Sequence, residues 1–243
     1  MDLLDGLATT RAIRRYGPGP IPEGDLASIL WHATRAPSGS NRQPTRYVVL
    51  RDGEAAAAAK ALIGRGARAA WGSKRDADGY DSGTGLDPDS PKARTARAMQ
   101  AYVDEFESIP VVVLVCAHPR RQAPGLQAGA SVYPACQNLL LAARALGYGG
   151  TMMMWHLLVE DELRALLGIP PDVLLAATIT LGVPAGRHGP VRRLPLADVV
   201  YDGAWGAPAP WAADPPDTPV LRSAGPPPTA AAPGGNQPGG RER

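Results

Sequence analysis

The chain has 243 residues and 44% of them are hydrophobic, enough length and apolar content to bury a substantial core. Its 25 basic and 23 acidic residues leave a formal net charge of +2, which excludes the strongly basic footprint of a nucleic-acid-binding protein. Only Lys60, Lys74 and Lys92 are lysines, so an anion site here has to use arginine, whose planar fork of donors suits phosphate.

The first predicted element is a short helix over about Asp2 to Thr9. An arginine-rich stretch follows, Thr10-Arg11-Ala12-Ile13-Arg14-Arg15-Tyr16, and Gly17-Pro18-Gly19-Pro20 breaks it. Pro22 suits the first position of a second helix, with Leu26, Ile29, Leu30 and Ala33 on one face. Pro37 stops that helix. Ser38, Gly39, Ser40 and Asn41 are turn residues, and Pro44 opens a strand over Arg46 to Leu50. A rigid polar loop between two packed elements is a usual place for ligand contacts, and equally a plain connector. An alanine-rich helix runs from Glu54 to about Leu62. The segment from Gly64 to Pro91 has no sustained apolar period yet holds Trp71 and Tyr80, which predicts an ordered or gated loop of the active-site-lid type. A helix returns from Lys92 to Ser108, with Met99, Val103 and Phe106 on one stripe.

Val111 to Ala117 is apolar without alternation, the pattern of a strand covered on both faces. His118 to Gly125 reads as a loop. A long helix follows from about Gln127 to Leu146, with Pro134 expected to start or kink it and Gly147 suited to cap it. Tyr148 to Trp155 reads as extended, Glu160 to Leu167 as a short helix and Leu174 to Leu181 as another buried strand. Gly186 to Val200 reads as a loop with clustered arginine. Residues 1–206 therefore form the expected single domain. Residues 207–243 form a Pro/Gly/Ala-rich tail expected to be extended or disordered, and low-complexity from about Pro226.

Several chemistries lack a motif. Gly147-Tyr148-Gly149-Gly150 follows a helix instead of preceding one, so it is not a dinucleotide fingerprint. His32, His118, His156 and His188 lack metal-ligand spacing, and Ser38 is not in a nucleophile elbow. Cys116 and Cys136 read as reduced core thiols. No apolar run approaches the ~18 residues of a membrane span and the N-terminus has no signal-peptide pattern, so a soluble, cytoplasmic, metal-free protein is expected. Arginine gathers in three groups, Arg11/Arg14/Arg15, Arg42/Arg46 and Arg192/Arg193, the first and last beside turns as in phosphate sites. Met152-Met153-Met154-Trp155-His156 is soft and apolar, either core filling or a substrate face; His156 is either a proton donor or a packed structural histidine.

Three stretches in order carry a resemblance: Thr10 to Tyr16 with Ala36 to Pro44 before a strand, Gln137-Asn138 to Gly147, and Gly182 to Gly186 followed by Pro190 to Leu196. Together they resemble the nitroreductase family of flavin enzymes, over roughly residues 8 to 206. The resemblance implies an α+β fold with a mixed central sheet flanked by helices, a homodimer, and FMN at the subunit interface. By position, Arg11 and Arg193 would hold the FMN phosphate, with Ala12 and Arg15 beside them in the same motif. Arg14 would lie toward the ribityl chain and pyrimidine edge. Ser38, Gly39, Asn41 and Gln43 would reach the flavin from the other protomer, and Gly150, Thr151 and Met152 would line the ring. Thr10 and Ala12 stand where the family often has more polar residues, and Thr45 where it often has Trp. The activity implied is hydride transfer from NAD(P)H through FMN to a nitroaromatic, quinone or activated alkene, in two alternating half-reactions. A flavin-dependent oxidase or desaturase, and a non-catalytic flavin-binding protein, are the alternatives.

Overall fold

The computed structural model describes residues 1–118 and 126–218, and the chain divides into one unit over Met1–Gly189 and a second over Pro190–Arg243. The first unit is built on four strands, β1 (Thr45–Leu50), β2 (Val111–Ala117), β3 (Gly149–Met153) and β4 (Leu174–Gly182), in the order β1-β2-β4-β3. Its helices are α1 (Leu3–Thr9), α2 (Glu23–Ala33), α3 (Glu54–Ala77), α4 (Pro91–Asp104), α5 (Leu126–Ala145) and α6 (Glu160–Leu167). This is the expected α+β class.

Each ladder is antiparallel, so among the described residues the sheet is not the mixed one implied by the resemblance. Connectivity gives the reason. Two helices, α3 and α4, join β1 to β2, and an even number of helices returns the chain to the end it left, so Leu50 pairs with Val112. Helices cover both faces. Val112, Leu114 and Cys116 of β2 pack into one cluster with Ile63 and Ala67 of α3 and Val103 of α4. Val111, Val113, Val115 and Ala117 pack into the other with Ile29 of α2 and Leu139 of α5. All seven β2 residues are buried, as its unbroken apolar run requires.

The largest departure from the sequence expectation is α3, which continues to Ala77 and absorbs the first half of the expected 64–91 loop. Ala56, Ala59, Ile63, Ala67 and Trp71 form one buried stripe at helical spacing, masked by Gly64, Gly66 and Gly72. Gly66 is there for space: a Cβ would lie 2.7 Å from the Trp155 carbonyl oxygen. Trp71 is a core residue with Nε1 donating to Gln100 Oε1 at 3.0 Å, so the part of the segment inside α3 is core helix where a loop is expected. The Lys92–Ser108 helix is α4 and then a separate 3-10 turn, Phe106–Ser108. Helix α5 runs through Pro134 without starting there, held by buried Val132, Ala135, Cys136 and Leu139 on its inner face. Lys60, 6% exposed, ties the β1 end to the β2 start by donating to the Arg51, Ile109 and Pro110 carbonyls at 2.9, 2.8 and 3.2 Å. The expected 118–125 loop lies, from residue 119 on, outside the described residues.

The second unit holds a one-turn helix, α7 (Leu196–Val199). Its chain closes on itself: Asp214 accepts from the Leu196 N–H at 3.1 Å, and Trp211 Nε1 donates to Asp202 at 3.0 Å. Residues 207–214 are therefore hydrogen-bonded structure where an extended tail is expected from composition, because Asp202 and Asp214 supply acceptors across the turn. The expected low-complexity region from Pro226 lies outside the described residues. Among the described residues no helix is long and apolar enough to cross a membrane.

Candidate functional site

The arginine segment is fastened to the sheet edge by its backbone. Ile13 N–H donates to Gly150 O at 2.9 Å, Gly17 N–H to Val183 O at 2.8 Å, and Ala185 N–H to Arg15 O at 3.0 Å. Ile13 points into the core while Arg11, Ala12, Arg14 and Arg15 stay exposed. Gly149 makes the approach possible, since a Cβ there would meet Ile13 Cγ1 at 2.7 Å. The structure thus brings two predicted groups together, Arg11 to Arg15 and Gly150 to Met152.

A buried chain of hydroxyls holds this segment from below. Tyr102 Oη lies 2.9 Å from Thr180 Oγ1, Thr180 Oγ1 lies 2.7 Å from Tyr16 Oη, and Tyr16 donates to the Ile13 carbonyl at 2.9 Å. Because a carbonyl only accepts, the chain runs Tyr102 to Thr180 to Tyr16 to Ile13, and each hydroxyl is satisfied. Burial pushes both phenols well above their ordinary range, so they remain protonated donors. Thr180→Val keeps the shape but breaks the chain twice, and should cost about 1–3 kcal/mol in urea unfolding. An unchanged midpoint would show that the chain does not support the segment.

Beside the segment opens a cleft of about 540 Å³ lined by Arg11, Arg14, Arg15, Arg94 and Arg187, with no carboxylate in its wall among the described residues. Pro91, the first residue of α4, also lines it, so the positive end of that helix dipole lies at the cleft. Among the described residues no ion pair involves Arg11, Arg14, Arg15 or Arg187. Uncompensated guanidinium groups in a concave wall attract anions. Sequence reasoning misses Arg94 and Arg187; Arg94 lies in a helix read for its apolar stripe, and only the fold sets it opposite Arg11. Thr10 is not available to a ligand, since its hydroxyl donates to Gly6 O at 2.6 Å and accepts from Arg144 at 2.9 Å. Ala12 offers no side-chain donor.

Along β3, Gly150, Thr151 and Met153 are buried, while Met152 and then Met154 point outward at 43% and 38% exposed. The methionine run is therefore split, one side chain in the core and two at the edge. His156 is fully buried in a 3-10 turn, with Nε2 at 3.2 Å from Leu175 O and Nδ1 at 2.9 Å from Thr178 Oγ1. Burial lowers its pKa. Both nitrogens are engaged in the core, the surroundings of a packed structural histidine.

Ser38, Asn41 and Gln43 line a different cleft, of about 310 Å³, together with Arg42, Thr45, Arg46 and Tyr47. The two clefts share no residue. Ser40, Asn41 and Gln43 adopt φ near +50°, a left-handed conformation costly for residues with a Cβ. Local bonds hold it: Gln43 N–H donates to Ser38 Oγ at 2.9 Å, Gln43 Nε2 to Asn41 Oδ1 at 3.0 Å, and Gly39 N–H to Ser131 Oγ at 3.3 Å. Arg46 clamps the loop by donating to the Gln43 and Thr45 carbonyls, both at 2.9 Å. The Tyr47 hydroxyl in this cleft has no partner among the described residues, and burial pushes its pKa up to about 12. Arg193 lies in the second unit, exposed, donating to the Arg192 carbonyl at 2.9 Å. Among the described residues no His, Cys, Asp or Glu cluster could hold a metal ion.

The fold and the clefts define an α+β protein with a strained polar loop and, at one sheet edge, a pocket whose charge favours anions. The chain belongs to the nitroreductase family, whose model matches residues 7–183. It is 33% identical over 204 residues to a protein of Thermus thermophilus named NADH dehydrogenase, covering 78% of this chain and 90% of that one. Among solved structures, NADPH:FMN oxidoreductase from Vibrio harveyi complexed with NAD+ superimposes with a TM-score of 0.62 at 21% identity, covering 83% of this chain and 77% of that one. Nitroreductase A from Vibrio parahaemolyticus gives 0.62 at 22% identity, covering 83% and 75%. At such identities these two likenesses are of fold alone.

Proposed function

We propose that this protein is a homodimeric, FMN-dependent oxidoreductase that oxidises NAD(P)H and reduces an electron-poor organic acceptor, a nitroaromatic, quinone or activated alkene. The observation that carries the reading is the cleft of five arginines with no carboxylate among the described residues, hydrogen-bonded to β3 through Ile13 and Gly150. That donor set fits a phosphate monoester, which takes bidentate guanidinium partners. Arg11 would hold the phosphate, with Arg15 and the backbone of Ala12 beside it. Arg14 would face the ribityl chain and the pyrimidine edge, where its charge favours negative charge on the ring. Gly150, Thr151 and Met152 would border the ring, Met152 as an apolar cover that keeps water out.

When bound, FMN supplies the hydride transfer, taken from the nicotinamide and given to the acceptor in two half-reactions. Two clefts that share no residue support the dimer: Ser38, Gly39, Asn41 and Gln43 of one protomer would complete the arginine cleft of the other, twice over in a two-fold assembly. Exposed Leu3, Leu4 and Leu7 of α1, with Leu157 and Leu158 after β3, supply apolar surface for such an interface.

The test is a visible absorption spectrum of the purified protein, then anaerobic titration with each nicotinamide. Bound FMN bleached by NADH or NADPH is the expected result; a colourless protein that takes up no FMN, or one that holds FMN no nicotinamide reduces, would overturn the reading. Arg11→Ala should weaken FMN binding by roughly 1.5–3 kcal/mol, the worth of a charged hydrogen bond. Unchanged affinity, read by flavin fluorescence, would remove that residue from the phosphate site.

A further inference from the structure

The arginine cleft carries more charge than one phosphate uses, and it does not end where the first cleft ends. A second cleft of about 520 Å³ continues from it, sharing Arg15, Arg94 and Ala98 and adding Arg97. Across both, among the described residues, Arg11, Arg14, Arg15, Arg94, Arg97 and Arg187 share the walls with a single carboxylate, that of Glu105. Glu105 caps the C-terminal end of α4, about 12 Å along the helix from Arg97. A phosphate monoester brings about −1.5 to −2 charge. Two or three guanidinium groups satisfy it, which leaves Arg94, Arg97 and Arg187 without an ionic partner among the described residues.

The arginines of the second cleft are placed as a set. Arg94 and Arg97 are three residues apart on α4 and so share a helix face, and Arg15 meets them from the segment beside β3. Next to them the wall is apolar, made of Ala98, Ala101, Ala185 and the Tyr16 ring. Arginines beside an apolar wall suit a phosphorylated nucleoside, the base on the wall and the phosphate on the guanidinium groups. NADPH differs from NADH only by such a group, the phosphate on the 2′-oxygen of its adenosine.

We propose that Arg94 and Arg97, with Arg15 at the border of the flavin site, receive the 2′-phosphate of NADPH, and that the protein therefore selects NADPH over NADH. The inference rests on the flavin-reductase reading, but a binding experiment tests it independently. On FMN-loaded protein, calorimetric titration with 2′,5′-ADP should show affinity roughly 10- to 100-fold above that for 5′-AMP, the worth of one charge-assisted hydrogen bond or a little more. In steady state, kcat/KM for NADPH should exceed that for NADH by a similar factor. Arg97→Ala should lower both ratios about 10-fold, and Arg97→Lys should recover part of the loss, since it keeps the charge without the bidentate fork.

Equal affinity for 2′,5′-ADP and 5′-AMP would overturn the proposal, as would a preference for NADH or ratios that Arg97→Ala leaves unchanged. If FMN binds and neither nicotinamide reduces it, the reductase reading fails, and the 2′,5′-ADP titration still decides whether this cleft recognises the 2′-phosphate.

Discussion

Replacing His156 by alanine is expected to cost the fold about 4 kcal/mol, read as a fall in the urea midpoint at neutral pH. The side chain is fully buried. Because the Leu175 carbonyl can only accept, Nε2 carries the ring proton, and Nδ1 then accepts from the Thr178 hydroxyl. Alanine opens a cavity and leaves both partners unsatisfied, two costs that add. The effect also depends on pH. Burial holds the folded-state pKa of His156 below its ordinary value of 6.5, so the neutral ring is favoured in the fold. The contribution is therefore complete above pH about 6.5 and declines as pH falls through and below that value, where only the unfolded chain readily takes up the proton. The stability gap between wild type and His156→Ala should narrow from pH 7.5 to pH 5.5. A gap that stays constant would mean the ring is not held neutral.

Gly150→Ala is expected to destabilise the protein by about 3 kcal/mol and to weaken FMN binding at least about 10-fold. An added Cβ would stand 2.3 Å from the Thr180 carbonyl oxygen and 2.7 Å from Leu181 Cδ2, and the carbonyl belongs to the backbone of β4 and cannot swing away. The strands must part, and the Gly150 carbonyl that receives Ile13 N–H moves with them. Displacing Ile13 displaces Arg11, Arg14 and Arg15, so stability and cofactor affinity fall together. Gly72→Ala is the control. It lies inside α3 with nothing within 4 Å of an added Cβ, and should stabilise by about 0.5–1 kcal/mol. If Gly150→Ala keeps its melting temperature and its FMN affinity, the sheet edge does not position the arginine segment.

Elements with strong local signals are legible in the amino-acid sequence. Helix α6 over Glu160–Leu167 ends where Gly168 takes a left-handed conformation, and β2 stands where seven apolar residues run unbroken. Local signals fail where tertiary packing overrides them. The glycines of α3 read as loop because glycine weakens a helix, yet Gly66 is required by the Trp155 carbonyl from another element. Pro134 reads as a helix start because it removes a hydrogen bond, yet the buried inner face of α5 outweighs that loss. His156 is ambiguous in sequence, since a proton donor and a core histidine differ only in what surrounds them.

By itself the sequence determined the family, because three motifs stand in the same order along the chain, and the α+β class came with that resemblance. Only the tertiary structure decided which arginines share a wall. Arg94 and Arg187 are remote from Arg11 in sequence and stand with it because Ile13 pairs with Gly150 while α4 packs alongside. Only the structure set the strained loop of Ser38 to Gln43 apart from those arginines, in a cleft of its own. Convergence of charge is a property of distance between side chains, and distance across a sheet edge is written in the packing of whole elements, not in any local stretch of chain.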